Sequence, residues 1–390
     1  MGIYLDHAAT TYTDERVLEA MLPYFTEKFG NASTPYSYGR EADKAIMTAR
    51  GEVADAIGAK REEIYFTSGG TESDNWAIKG AAETAKKGHI ITSSIEHHAV
   101  LDTCKYLESR GFDVTYLPVD SSGMVTPERV ESAIRPDTIL ITIMFANNEV
   151  GTIMPIADIG RVAKERGILF HTDAVQATGH VPINVAEMNI DMLSMSAHKF
   201  YGPKGVGALY VRKGINLGKY MHGGAQERDH RAGTINTPGI VGLGAAIKLA
   251  VENMESETKH ELALSKRLRE GLLKIPASKL NGHETQRLPG NVNITFSFIE
   301  GEAVMQYLDL EGIAVSTGSA CTSGSTHPSH VLLAMGVGIE DARAAIRFTL
   351  GRENTEDDID VVIAKTESIV QRIREISPLF AQYKGGLENV

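Results

Sequence analysis

Between residues 63 and 197, short apolar runs alternate with longer stretches of helical period. "EIYFTSGG" reads as a strand ending in glycine, and "TESDNWAIKGAAETAKK" as the helix after it. "HIITSS", "DVTYLPV", "TILITIMFA", "ILFHTDA" and "DMLSMSA" read as further strands. "HAVLDTCKYLESRG", "TPERVESAIR" and "PIADIGRVAKERG" carry the helical spacing between them. Apolar residues three and four apart mark a helix face, and a continuous apolar run marks a strand covered on both sides. Repeated β-α-β units therefore predict an α/β fold with a large, mostly parallel sheet. Ahead of them, Ile46, Ala49, Val53 and Ile57 fall on one helical face. Beyond about residue 250 the texture changes. "ESETKHELALSKRLREGLLKI" reads as a charged amphipathic helix. "GNVNITFSF", "IAVSTGSA" and "AAIRFTLG" read as strands, and a final helix opens at Thr355 with Asp358 as its capping partner. These predict a smaller α+β domain.

In a parallel sheet, ligands bind outside the carboxyl ends of the strands. The polar clusters "TSGGTES", "SIEHH", "FANNEVG", "HTDAVQATG" and "SAHK" all fall at such ends. In "FTSGGTES", glycines at a strand-to-helix turn expose backbone N–H groups that favour an anion such as phosphate. No G-K-[ST] follows, and a plain tight turn capped by Thr71 explains the same residues. Asp173 ends an apolar strand, with Gln176 one helical turn on. A buried carboxylate there needs a cationic or hydrogen-bonding partner: a ring N–H⁺ would serve, and a helix cap or structural ion pair explains the residue equally well. In "SAHK", an extended chain would turn Ser196 and His198 to one side and Lys199 to the other. A lysine is ordinarily a solvated charge, but one that follows an apolar strand is moved towards function, and lysine forms Schiff bases when its surroundings lower its pKa. His97 and His98 are adjacent in "EHHAV". Their spacing and the distant cysteines fit no common zinc site, so no metal is expected. Of the two cysteines, Cys104 lies within a helix. Cys321 sits in "STGSACTSGSTHPSH", read as an exposed loop between a strand and a helix begun by Pro328. Reactivity explains an exposed thiol better than packing does.

The bulk properties exclude several classes. The net charge of 39 − 50 = −11 gives no basic footprint for nucleic acid and no attraction to an anionic membrane surface. No apolar run approaches the length of a membrane span. "MGIYLDHAATT" has neither the basic nor the apolar region of a signal peptide. Two cysteines among 390 residues make no disulfide framework, so a reducing, cytoplasmic setting is expected. The sequons at Asn31 and Asn293 are chance matches in that setting. A dinucleotide enzyme would need G-x-G-x-x-G after the first strand, which is absent.

Taken in order, "YLDHAATT", "FTSGGTESDN", "EHHAVLD", "NNEVGT", "HTDAVQATG", "SMSAHKFYGPKGVGALY", "MHGGAQERDHRAGT", "STGSACTSGSTHPSHVL" and "AIRFTLGRENTEDDID" resemble the cysteine desulfurases of the NifS/IscS type. These are class-V aminotransferases of the fold-type-I pyridoxal 5'-phosphate (PLP) group. The resemblance runs from about residue 4 to residue 375. It implies a large PLP-binding domain over 15–255, and a small domain over 1–14 and 256–390 that carries the cysteine loop. It also implies a homodimer.

Lys199 then resembles the Schiff-base lysine, with Lys204 structural. Asp173 resembles the partner of the ring nitrogen, Gln176 that of the phenolic oxygen, and His97 the group stacked on the ring and moving protons. Gly70, Thr71, Ser196 and His198 match the phosphate site, which Thr234 of the partner subunit completes. Asn148 and Arg347 match the substrate-carboxylate site, and Cys321 the nucleophile that takes sulfur from L-cysteine as a persulfide. The implied acceptor is a protein such as an iron–sulfur scaffold, transient cluster ligation by Cys321 included. Gly70 stands where alanine is frequent, and Ile235 where an acidic residue is common. A selenocysteine lyase or another PLP enzyme of this fold is the alternative. Cys321 argues against an aminotransferase, and the complete set of Lys199, Asp173, His97 and Cys321 argues against a scaffold that has lost catalysis.

Overall fold

The computed structural model describes residues 2–317, 328–378, 380, 381 and 383. In chain order, β1 (Ile3–Tyr4) precedes α1 (Glu15–Met21), α2 (Pro23–Thr26) and α3 (Ser37–Ala56). Then come β2 (Ile64–Thr67), α4 (Gly70–Ala85), β3 (His89–Ser93), α5 (His98–Glu108), β4 (Asp113–Leu117) and α6 (Pro127–Ala133). β5 (Thr138–Thr142), α7 (Ile156–Arg166), β6 (Leu169–Asp173), β7 (Met192–Ser196) and β8 (Gly207–Val211) complete the large sheet. After α8 (Gln226–Asp229) and α9 (Thr237–Leu272) come β9 (Ser278–Asn281), β10 (Asn291–Phe296), α10 (Gly301–Leu310), β11 (Ile313–Ala314) and β12 (Ser316–Thr317). α11 (His330–Ala334), α12 (Ile339–Arg343), β13 (Ala345–Thr349) and α13 (Glu356–Glu375) follow.

The large sheet has seven strands in the order β2-β8-β7-β6-β5-β3-β4. The pairs β7–β6, β6–β5, β5–β3 and β3–β4 are parallel. β8 runs antiparallel to both its neighbours, β2 and β7. This is an α/β fold with one reversed strand. β8, "GALYV", was not singled out in the sequence, because it follows β7 without a helical stretch to announce a new unit. Since β8 reverses twice, β2 points the same way as β7, and all the expected strand ends reach one edge. A four-stranded antiparallel sheet, β12-β13-β10-β9, and the parallel pair β1-β11 form the smaller part.

Two features of the later chain differ from expectation. The helix read from Glu255 onward begins at Thr237, giving 36 residues in α9. Ile240, Leu243 and Ile247 pack in the core of the large sheet, and Leu264, Leu268 and Leu272 in the core of the small one. The first half is nearly all Gly, Ala and aliphatic residues, so it has no polar face to display the helical period. Its glycines allow close approach: a Cβ on Gly244 would come within 2.7 Å of the Ala49 backbone in α3. The helix expected to start at Pro328 starts at His330. Ser329 caps it, its hydroxyl accepting the Leu332 N–H. The Thr355–Asp358 capping box opens α13. Among the described residues, no helix is long and apolar enough to cross a membrane.

Candidate active site

The edge formed by the carboxyl ends of β2, β5, β6 and β7 and the start of α5 gathers most of the expected residues. β6 is an apolar strand that delivers Asp173 to its end, where the side chain is only 6% exposed. Its Oδ1 accepts the Val175 N–H at 2.9 Å. Burial pushes its carboxyl up, while His97, the Val175 N–H and Lys199 all pull it down. A buried acid facing a lysine and an imidazole is prepared for a cationic partner.

His97 caps α5, its Nδ1 accepting the Ala99 N–H at 3.1 Å. In the neutral ring the hydrogen is then on Nε2. Burial first, and Lys199 after it, lower its basicity, with Asp173 opposing.

The stretch "SAHK" is not extended. β7 ends at Ser196, and Ala197–Lys199 form a tight 3-10 turn. Phe200 and Gly202 both donate backbone N–H groups to the Ala197 carbonyl, and the Thr11 N–H and hydroxyl both bond the His198 carbonyl. These bonds curl the chain, so strand alternation does not set where the three side chains point. His198 Nδ1 pairs with the Thr10 hydroxyl at 3.0 Å, and burial pushes its pKa down to about 4, which keeps it neutral. Lys199 Nζ donates to the Ala8 carbonyl at 2.5 Å and the Ala9 carbonyl at 2.8 Å. Gln176 Nε2 donates to the same Ala8 carbonyl at 3.0 Å. Lys204 instead reaches the Thr11 carbonyl.

At the β2–α4 turn, Gly69 is the N-cap of α4, and no side chain caps the helix. Thr71 therefore lies inside the first turn and is exposed; it is not the cap. Gly69 has φ +154°, which a residue with a Cβ rarely adopts, and a Cβ there would face Ser196 Oγ at 3.5 Å. Gly70 is equally constrained: its Cβ would meet Val175 at 2.5 Å. Arg231 pairs with Glu72 in this first turn, Nε to Oε1 at 2.8 Å. Thr234, three residues beyond Arg231, is exposed and makes none of the hydrogen bonds that join the other residues.

On the other side, the "FANNEVG" segment is folded by Asn147. Its Oδ1 accepts the N–H groups of Glu149 and Val150, and its Nδ2 bonds the Ile95 carbonyl. Asn148 is thereby placed beside Arg347, whose Nη1 donates to the Asn148 carbonyl at 3.0 Å. Arg347 is 2% exposed, pairs through Nη2 with Asp6 at 2.8 Å, and has no hydrogen-bond partner for Nε among the described residues. A buried guanidinium with an unused N–H suits a carboxylate ligand. Cys104 is fully buried, and burial pushes its thiol up to about 12, so it is inert. Cys321 lies outside the described residues.

These residues fit PLP. An uncapped helix start beside Thr71, Ser196 and His198 is a cradle for a phosphate. Asp173 offers a buried carboxyl for a ring nitrogen, Gln176 an amide, and Lys199 an amine. The N-terminal segment was missed by reading the sequence residue by residue. Asp6 balances Arg347, and the Ala8 carbonyl anchors both Lys199 and Gln176. A backbone carbonyl carries no sequence signal; only the cluster "LDHAATT" hinted at it.

The model of the aminotransferase class-V family matches residues 3–362. The chain is 59% identical over 380 residues to the cysteine desulfurase IscS of Methanosarcina thermophila, covering 97% of this chain and 94% of that one. It is 55% identical over 386 residues to the cysteine desulfurase IscS of Clostridium botulinum strain Hall, covering 98% and 97%. A solved structure described as a NifS-like protein superposes with TM-score 0.90 at 43% identity, covering 95% of this chain and all of that one. Another, described as SspA in complex with cysteine, superposes with TM-score 0.81 at 44% identity, covering 90% and 100%.

Proposed function

The chain belongs to the class-V aminotransferase family, as a PLP-dependent cysteine desulfurase of the NifS/IscS type, and from that premise we propose how its own residues divide the reaction. The observation that carries the reading is the convergence of Asp173, His97 and Lys199 at one sheet edge, with Arg347 and Asn148 paired across from it.

Gly70, Thr71, Ser196 and His198 hold the phosphate. Asp173 would keep the ring nitrogen protonated, Gln176 would bond the phenolic oxygen, and His97 would stack on the ring and move protons. Arg347 and Asn148 orient the carboxylate of L-cysteine, with Asp6 holding the guanidinium in place. Bound in this way, PLP supplies an electron sink that weakens the substrate C–S bond. Lys199 anchors the cofactor and moves the substrate Cα proton. The Cys321 thiolate attacks the substrate sulfur: the S–S bond forms, the C–S bond breaks with its electron pair passing to the substrate carbon, and that carbon takes up a proton, matched by the one the substrate thiol gives up, and leaves as L-alanine. The sulfur remains on Cys321 as a persulfide, ready for an acceptor protein. The name shared by the relatives supports an iron–sulfur assembly scaffold as that acceptor; transient cluster ligation by Cys321 during delivery is part of the same proposal.

In this reading the unit 15–255 binds PLP, while 1–14 and 256–390 bring Arg347 and Cys321 to it. Thr234 completes the phosphate site of a second subunit. One buried and one reactive cysteine suit a reducing, cytoplasmic setting.

Replacing Cys321 with serine tests the division of labour. The variant should bind PLP and change its visible spectrum with L-cysteine, yet release almost no alanine and carry no persulfide by intact-protein mass spectrometry. Parent-like alanine release by Cys321→Ser would instead favour a lyase.

A further inference from the structure

Beneath Asp173, on the side of the sheet covered by α4, lies a polar group that this reaction scheme does not use. His171 and Asp173 are two apart on β6, and Ser194 and Ser196 two apart on β7, so each pair shares one face. His171 is fully buried. Its Nδ1 pairs with the Thr142 hydroxyl at 2.8 Å and its Nε2 with the Ser194 hydroxyl at 3.0 Å. Asp74, in the first half of α4, faces the same place. It is 1% exposed, its Oδ1 is 3.7 Å from His171 Nε2, and that oxygen has no hydrogen-bond partner among the described residues. The Ser194 hydroxyl, bonded to His171, faces the Asp74 carboxyl as well and pulls its pKa down against burial.

The groups facing Asp74 are Asp173 and His171 of β6, Ser194 of β7 and, from the segment before α5, Glu96. None is a cation. Burial pushes His171 down to about 3, so its ring is neutral. Glu96 is bonded by the Ser93 hydroxyl and the Met144 N–H, and burial pushes it up to about 8. A carboxylate on Asp74 would be buried beside two other acids with no positive partner, which is costly. Asp173 differs, because His97, Lys199 and the Val175 N–H all face it.

We propose that Asp74 is held as the neutral acid and starts a hydrogen-bond chain of one direction, Asp74 to Ser194 to His171 to Thr142, which leaves Asp173 as the anionic carboxyl facing the cofactor ring. The acid O–H donates to Ser194 Oγ, Ser194 donates to His171 Nε2, and His171 Nδ1–H donates to Thr142 Oγ1. Every donor has one acceptor. Were Asp74 ionised, each bond would reverse and the imidazole hydrogen would move to Nε2. The tautomer of His171 therefore reports the state of Asp74. An anionic Asp74 would also repel charge from Asp173 and drive a proton onto it. Asp74 is thus a positioning residue, acting through Asp173. This rests on the reading that Asp173 partners the PLP ring.

The test is nuclear magnetic resonance of isotope-labelled imidazole nitrogens, in the protein with and without PLP, with His171→Gln to assign the signal. The parent should show His171 as the Nδ1–H tautomer in both states. Asp74→Asn should keep that tautomer, because an amide N–H replaces the acid O–H as donor. Ser194→Ala should abolish the preference and move the pH at which the visible absorbance of bound PLP changes by roughly half a unit or more, since the Asp74 hydrogen then turns to Asp173. An Nε2–H or doubly protonated His171 in the parent overturns the proposal, as does a tautomer switch in Asp74→Asn. If the parent fails to bind PLP at all, the reading of the ring site falls, while the tautomer of the PLP-free protein still decides the state of Asp74.

Discussion

At the scale of single residues, the chemistry rests on which buried groups are charged. Asp173 and Asp74 are both buried acids near one another, and burial pushes both up. Only Asp173 has a cationic neighbour, Lys199, so only Asp173 is prepared to hold a protonated ring nitrogen. Asp173→Asn should leave PLP bound by Thr71, Ser196 and His198, yet lower turnover on the order of a hundredfold, the scale of losing one oriented charged group from a site. Alanine release alongside cofactor absorbance measures both. Undiminished turnover would refute the role given to Asp173. Its importance was legible in the sequence, because a carboxylate ending the apolar run "ILFHTD" must meet a partner. Asp74 was not legible. Within "GTESDNWAIKG", an aspartate reads as part of the solvated face of a helix, and only the packing of α4 on the sheet buries it.

At the scale of elements, α9 links the two cores and carries Glu261 into the second. Glu261 is 5% exposed; burial first, then Glu257 and Glu353, push its pKa from the ordinary 4.5 up to about 8. Its folded-state pKa is raised, so it contributes stability that is fully present below the unfolded value and is lost as pH rises through about 8. The loss from about pH 6 to about pH 9 should be roughly 2–3 kcal/mol from this group, at about 1.4 kcal/mol per unit. Glu261→Gln should remove that portion, leaving the slope due to the other acids that burial raises, Glu96, Glu149 and Asp74 among them. Urea denaturation at the two pH values compares the proteins; equal slopes would exclude an ionising Glu261. The periodic helices α3, α5, α7 and α13 were readable because each has one apolar face. The first half of α9 and the reversed strand β8 were not, since neither shows a period of its own.

At the scale of the whole molecule, a run of large apolar side chains near the N-terminus is exposed, including Leu18, Leu22, Phe25, Phe29, Tyr36 and Tyr38. A surface of this kind marks an interface. With Thr234 exposed and outside the cluster of its own chain, it supports a homodimer that shares its phosphate sites. The 42.2 kDa chain should sediment at twice that mass. Phe25→Asp with Phe29→Asp should give monomers that bind PLP about tenfold more weakly, the scale of losing one hydrogen bond to a charged group. Sedimentation combined with PLP titration measures both quantities. A fully active monomeric parent at high dilution would contradict the shared site.

Local order was enough to determine the α/β class and the edge of the sheet that bears the candidate site, and to single out Asp173 and Lys199 there; His97 and Arg347 were pointed to by the resemblance of whole motifs and not by any local period. Strand and helix periods are short-range, and charged residues at the ends of apolar runs stand out against them. Tertiary structure alone decided that Asp6 and the Ala8 carbonyl reach across to Arg347 and Lys199, that "SAHK" curls into a turn, and that Asp74 lies beneath Asp173. Each of these depends on contacts between residues far apart in the chain, and burial, which sets where charge resides, exists only once those contacts have formed.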